Sequence, residues 1–309
     1  MNDFIYVKLI SNHELINNIL KTHSIFNAIP RLEVEILLTH VLNIDRVTLK
    51  AHPEMLVSAA EAVKFYQLLN RRLKGEPIAY IIGSKNFWDL NLIITKDVLI
   101  PRSETELLVE KTLEILAERA SFKNGAPFKN RAPFENPISI LELGTGSGAV
   151  SLAIAKSYPD KVKIIATDIS KDALEIAKLN AKRLNINNIQ FLHGDWFKAL
   201  EFNHKISNKF KFDFIISNPP YISSKEIHLC NGEIFFEPQI ALFANDEGLA
   251  SLQHIIMHSK NYLNDSGILL VEHGIYQRSE VVDFFLAANF KTITSYQDLL
   301  AIDRVIVGS

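Results

Sequence analysis

The stretch "LELGTGSGAVSLAIA", residues 141–155, decides the fold. Its first residues close the apolar run "ISILEL", 138–143, which reads as a buried strand. The loop Gly144-Thr145-Gly146-Ser147-Gly148 then turns sharply, and a helix opens behind it. Glycine admits positive φ and lets a ligand approach the backbone. A helix start adds free N–H groups and a partial positive charge. G-x-G-x-G alone is a weak signal, met equally by a tight turn with no ligand. Between a strand and a helix, it points to a nucleotide-type ligand.

Working outward, "KIIATD", "IQFLHGD", "FDFIIS", "GILLVEH" and a late "RVIVG" are further apolar strand candidates, with helical patterns between most of them. That alternation predicts βαβ units, an α/β class and a mostly parallel sheet. Asp168 ends the strand after the glycine loop, where a carboxylate accepts hydrogen bonds from both ribose hydroxyls. Capping the next helix is its competing role, one that Ser170 can fill instead. In "HGDWF", 193–197, Asp195 can accept from an adenine amino group and Trp196 can cover the ring.

The region before the sheet has a different character. Ser11-x-x-Glu14 reads as a capping box before an apolar stripe at Leu15, Ile16, Ile19 and Leu20. Pro30 can occupy the first turn of a helix carrying Val34, Leu37, Leu38 and Val41. Ser58-x-x-Glu61 caps another, with Val63, Leu68 and Leu69, and Gly75 stops it. A helical bundle over residues 1–84 follows, then a hairpin linker at 85–102 and a catalytic domain at 103–309. Ser103-x-x-Glu106 opens a helix to about Glu118. The Pro-, Asn- and Lys-rich stretch 121–137, with its imperfect repeat "FKNGAPF"/"FKNRAPF", reads as an exposed insertion loop.

Composition narrows the function. With 48% hydrophobic and 22% charged residues, the chain is an ordinary globular protein. A net charge of −2 disfavours nucleic-acid binding driven by bulk charge. The single cysteine, Cys230, excludes an internal disulfide framework and reads as a passive thiol in a reducing compartment. With no secretory signal and no apolar run fit to span a bilayer, a cytoplasmic protein that binds no membrane is expected.

"SNPPYI", 217–222, selects the chemistry. Two prolines forbid continuation of strand or helix and leave Asn218 and Tyr221 on a stiff turn at a strand's carboxyl end. Hydride transfer has no use for such a group, so a dehydrogenase reading leaves 218–221 unexplained. Methyl transfer to an amide or amino nitrogen does use it. The Asn218 side-chain oxygen and the Pro219 carbonyl can each accept an N–H of a planar NH₂ group. Those bonds strengthen as the nitrogen gains positive charge. The face of Tyr221 can hold the planar group, the ring rather than the hydroxyl carrying this role. No strong general base is needed.

Over almost its whole length the chain resembles the bacterial release factor glutamine methyltransferases. The matching segments are "GEPIAYIIG", "FW" (87 and 88), "IPRSETE", "LELGTGSGAVSLAIA", "ATDIS", "GDWF", "SNPPYI", "FEPQIAL", "DEGL" and "DRVIVG". The resemblance implies a seven-stranded Rossmann-like methyltransferase domain behind an N-terminal helical, release-factor-binding domain. It implies methyl transfer from S-adenosylmethionine to the glutamine amide nitrogen in the Gly-Gly-Gln loop of class 1 peptide chain release factors. S-adenosylhomocysteine is the other product, no metal takes part, and a monomer is expected. Carried over by position, Gly144, Thr145, Gly146, Ser147, Gly148, Asp168, Trp196 and Asn218 hold the cofactor. Asn218, Pro219, Pro220 and Tyr221 hold the substrate, with Asn218, Pro219 and Tyr221 catalytic. Glu237, Arg102 and Glu104 are further candidates from the matching segments. Ser103 and Glu142 stand where the family often has Pro and Asp. Asn-Pro-Pro-Tyr alone also admits a DNA adenine or RNA guanine amino-methyltransferase, which flips its base into the pocket. From another class, a noncatalytic cofactor-binding adaptor is the alternative.

Overall fold

The computed structural model describes residues 13–24, 29–122, 137–201, 211–223 and 232–309. Ser11, Cys230 and residues 123–136 of the insertion lie outside them. Contacts divide the chain into two units, 1–83 with 232–236, and 84–231 with 237–309.

The first unit is mainly helical. Its elements are β1 (His13–Leu15), α1 (Ile16–Ser24), α2 (Arg31–Leu42), α3 (Arg46–Ala51), β2 (Leu56–Ser58), α4 (Ala59–Leu73) and α5 (Ile78–Ile82). Glu14 belongs to β1, which pairs antiparallel with β2, so it does not stand in a helical first turn. Pro30 directly precedes α2, whose Val34, Leu37, Leu38 and Val41 are buried. Ser58 and Glu61 form the capping box of α4. Leu69 enters the core with Phe65, whereas Val63 faces solvent. The chain leaves α4 through Gly75 at φ +93°. Arg72 ties the unit together, pairing with Glu33 at 2.6 Å and with Glu233 at 2.7 Å.

The second unit opens with an antiparallel hairpin, β3 (Ser84–Phe87) and β4 (Leu90–Ile93), followed by α6 (Glu106–Phe122). The Glu106 carboxylate accepts from the Trp88 backbone N–H at 2.8 Å, so it serves the hairpin rather than a capping box with Ser103. Then come β5 (Ile138–Leu143), α7 (Ala149–Ser157), β6 (Val162–Asp168), α8 (Lys171–Arg183), β7 (Ile189–His193), α9 (Lys198–Glu201) and β8 (Phe212–Ser217). The short β9 (Ile222–Ser223) pairs in parallel with β10 (Phe243–Ala244). The chain ends with α10 (Ala250–Ser259), β11 (Leu263–Glu272), α11 (Arg278–Ala287), β12 (Ile293–Gln297) and β13 (Asp303–Gly308).

The main sheet has seven strands in the order β12-β13-β11-β8-β5-β6-β7. Its strands run in one direction except β13, which pairs antiparallel with both β11 and β12. Register fixes what stands at the carboxyl edge. Leu143 lies opposite both Thr167 and Ser217, and Val271 lies opposite Ser217. The next residues along each chain segment, Gly144, Asp168, Asn218 and Glu272, therefore gather at one edge. Ligands bind outside such an edge in open α/β sheets. Phe212, Ile215, Leu252, Val281 and Phe285 belong to one buried apolar cluster of this unit. Among the described residues, no helix is long and apolar enough to cross a membrane.

Candidate active site

A cavity of about 320 Å³ opens at this edge, its wall including Gly144, Gly146, Asp168, Asp195, Trp196 and Asn218. Gly144, Gly146 and Gly148 all take positive φ. At Gly148 a Cβ would also meet Leu152 Cδ1 at 2.9 Å, so only glycine lets α7 start this close to its own second turn. The loop's amides are largely engaged within the protein. Gly144 and Thr145 N–H donate to Thr167 O, each at 2.9 Å, and Gly146 N–H donates to Asp168 Oδ2 at 2.8 Å.

Asp168 therefore works on two sides. Its Oδ1 also accepts from Ser170 N–H at 2.8 Å, while the Ser170 hydroxyl caps α8 through Ala173 N–H. Each carboxylate oxygen has a further lone pair for a ligand hydroxyl. Burial pushes the Asp168 carboxyl above its usual range, against the pull of the Ser170 and Gly146 N–H groups. Trp196 sits at φ +46°, and its ring packs over Gly144. Asp195 is half-exposed and pairs with Lys198 at 3.1 Å. Thr145, Ser147 and Gly148 lie behind the cavity wall.

Glu142, fully buried beneath the loop, accepts from the Thr145 hydroxyl at 2.6 Å. Burial raises its carboxyl to about 7, although Ser151 and Thr145 pull the other way. The start of α7 thus faces an internal carboxyl through Ser151. Asn180 of α8 donates to Ser147 O at 3.0 Å and to Ile93 O at 3.1 Å, and accepts from Ile93 N–H at 2.7 Å.

The Asn-Pro-Pro-Tyr turn follows β8. Asn218 and Pro220 line the cavity; Pro219 is buried behind it, and Tyr221 is also set back from the wall. Asn218 Nδ2 donates to Thr105 Oγ1 at 3.0 Å, which leaves Oδ1 as an acceptor. The Tyr221 hydroxyl donates to Glu272 Oε1 at 3.1 Å, a role for the hydroxyl that the sequence reading did not assign. Its carbonyl accepts from Gln277 Nε2 at 2.9 Å, and Gly248 packs against that carbonyl so closely that no Cβ fits. Burial pushes the Tyr221 hydroxyl up and raises Glu272 to about 7. Glu237 is also buried. It accepts from Ile100 N–H at 3.0 Å and forms an ion pair with Arg102, joining two segments far apart in sequence. Glu104 contacts Ser103 at 3.2 Å.

Sequence reasoning missed Thr105, Glu142, Asn180 and Glu272 as members of this arrangement. Thr105 stood inside "IPRSETE", and Glu272 closed a strand read only for its apolar run. A buried carboxyl at a strand's end, next to a glycine loop or a proline turn, was the available signal.

A family model described as "PrmC N-terminal domain" matches residues 17–83, and one described as "Methyltransferase domain" matches 135–296. The fold is similar to that of the hMettl16 catalytic domain, with a TM-score of 0.54 at 14% identity over 81% of this chain and 80% of that one. The protein is an α/β methyltransferase, of a fold that implies S-adenosylmethionine as methyl donor. The release factor glutamine methyltransferase of Aliivibrio fischeri is 41% identical over 90% of both chains. That of Coxiella burnetii is 40% identical over 97% of this chain and 99% of its own. The chain belongs to the release factor glutamine methyltransferase family.

Proposed function

We propose that this enzyme transfers a methyl group from S-adenosylmethionine to the side-chain amide nitrogen of a glutamine, in the Gly-Gly-Gln loop of a class 1 peptide chain release factor. The observation that carries the reading is the Asn218 amide, tethered at Nδ2 by Thr105 with Oδ1 left to accept. The cavity fits the donor: Gly144 and Gly146 bring bare backbone to it, Asp168 keeps lone pairs for ribose hydroxyls, and Trp196 offers a ring. When bound, S-adenosylmethionine supplies a methyl group activated by its sulfonium.

The protein's own part is orientation. Asn218 Oδ1 and the Pro219 carbonyl hold the two N–H groups of the glutamine amide, turning its nitrogen toward the methyl carbon. These bonds shorten as the nitrogen becomes cationic, so they favour the transition state over the ground state. Near-attack placement supplies the largest share of the effect. In this reading residues 1–84 help to bind the release factor, 85–102 link, and 103–309 catalyse, in a cytoplasmic monomer.

Mass spectrometry tests it. The purified chain is incubated with S-adenosylmethionine and an unmodified class 1 release factor, and the Gly-Gly-Gln peptide is fragmented. One methyl group on that glutamine, absent with Asn218→Ala, is the expected result. A release factor left unmethylated by a chain that still binds the cofactor overturns the reading and points to nucleic-acid acceptors.

A further inference from the structure

We propose that Glu272 is the positioning residue of the acceptor turn, holding the Asn218 amide through Thr105 and the Tyr221 ring directly. The proposal rests on the reading of Asn218 as the residue that holds the acceptor nitrogen. Glu272 ends β11, beside β8, so its fully buried carboxyl stands next to the turn that β8 leads into. Tyr221 donates its hydroxyl proton to Oε1. The Thr105 oxygen takes a hydrogen from Asn218 Nδ2 and needs an acceptor for its own proton. The Glu272 carboxyl lies near enough for the Thr105 hydroxyl to favour its ionised form, and it is the acceptor assigned to that proton in this proposal. Among the described residues Oε2 has no hydrogen-bond partner, so this carboxyl keeps bonding capacity on the side away from Tyr221.

The direction of this relay matters because a primary amide is nearly symmetrical in shape. Only its partners decide which end meets the cavity. With Thr105 donating to an ionised Glu272, Asn218 must give Nδ2 to Thr105 and present Oδ1 to the acceptor NH₂. Protonated, Glu272 can donate to Thr105 instead. Thr105 can then donate to Oδ1, and the flipped amide sets donor against donor. The charged groups around Glu272 oppose each other. Arg304, on β13, favours the ionised form and Glu104, just before α6, disfavours it, while the hydroxyls of Tyr221 and Thr105 favour it. Acid therefore weakens methyl transfer through this one carboxyl.

The test uses the full chain with Glu272→Gln, Thr105→Val and Thr105→Ser, each checked for folding by its melting temperature. Thr105→Val is expected to lower kcat about 10- to 100-fold while KM and cofactor Kd move less than about threefold, as for a misplaced reacting group. Thr105→Ser restores the rate, and Glu272→Gln removes the acid limb of the pH–rate profile. A second readout needs no substrate: the side-chain NH₂ resonances of Asn218 in ¹⁵N-labelled protein. Slow hydrogen exchange in the wild type, lost in Thr105→Val, supports the relay even if the glutamine assay fails and the proposed activity falls with it. Unchanged exchange in Thr105→Val, no rescue by Thr105→Ser, or an acid limb retained in Glu272→Gln overturns it.

Discussion

The two halves of the cavity wall are built on the same sheet edge, yet they are finished differently. Under the glycine loop, Glu142 accepts from Thr145, three residues on, and is held ionisable also by Ser151, nine residues on. Under the Asn-Pro-Pro-Tyr turn, Glu272 accepts from Tyr221 and is influenced by the Thr105 hydroxyl, 51 and 167 residues away in sequence, and among the described residues it keeps one oxygen without a partner. Both carboxyls are fully buried, and burial pushes both up to about 7. The carboxyl beneath the cofactor half is satisfied locally. The acceptor half is assembled from distant segments and keeps spare bonding capacity.

The strongest challenge to this contrast is Asn218→Ala. Turnover is expected to drop about 100- to 1,000-fold, the cost of losing one donor or acceptor aimed at developing charge. Cofactor affinity, read by calorimetry, should change far less. Equal losses in both would merge the two halves into one.

Gly148→Ala strikes the other half. The new Cβ meets Leu152 and Ala177 at a φ of +83°, so about 1–3 kcal/mol of stability should go, visible in urea unfolding. A variant as stable as the wild type would mean that α7 can shift, and that the loop packs less tightly than described.

Asp168→Asn is a smaller and more selective change. An amide has one oxygen, so either Gly146 or Ser170 N–H loses its acceptor, and a ligand hydroxyl loses its charged partner. Cofactor Kd should rise about tenfold, the equivalent of roughly 1.4 kcal/mol. A matching fall in kcat at saturating cofactor would contradict a role confined to binding.

The change that leaves the site's chemistry untouched is in stability against pH. Glu142 and Glu272 are raised from an ordinary 4.5 to about 7, so between these values the folded chain holds more protons than the unfolded one. Stability is therefore lost as pH rises through this window, by at most about 1.4 kcal/mol per pH unit for each carboxyl. Melting temperatures between pH 5 and pH 7.5 should fall less steeply in Glu142→Gln. Turnover should survive that substitution better than Glu272→Gln, and the reverse order would undo the comparison.

This contrast also explains what the sequence displayed. The glycine loop was legible because backbone geometry itself demands glycine, and Asp168 because it ends the next strand. The proline turn was legible because Pro219 and Pro220 permit little else. Thr105 and Glu272 were not, since their meaning arises only when β11 and the segment before α6 are brought beside β8. The strand β12 escaped for a different reason. "ITSYQ" sits at the edge of the sheet with mixed polarity, and its pairing with β13 supplies what its composition does not. Glu106 showed a capping spacing, but the Trp88 N–H of a folded hairpin took its carboxylate.

Asn180 has a mechanical consequence. One side-chain amide imitates a strand partner for Ile93 and at the same time grips the carbonyl of Ser147. It acts as a rivet through three layers, the hairpin strand β4, the helix α8 and the glycine loop. Tension applied along the hairpin reaches the loop through three short hydrogen bonds, with no slack segment between to absorb it.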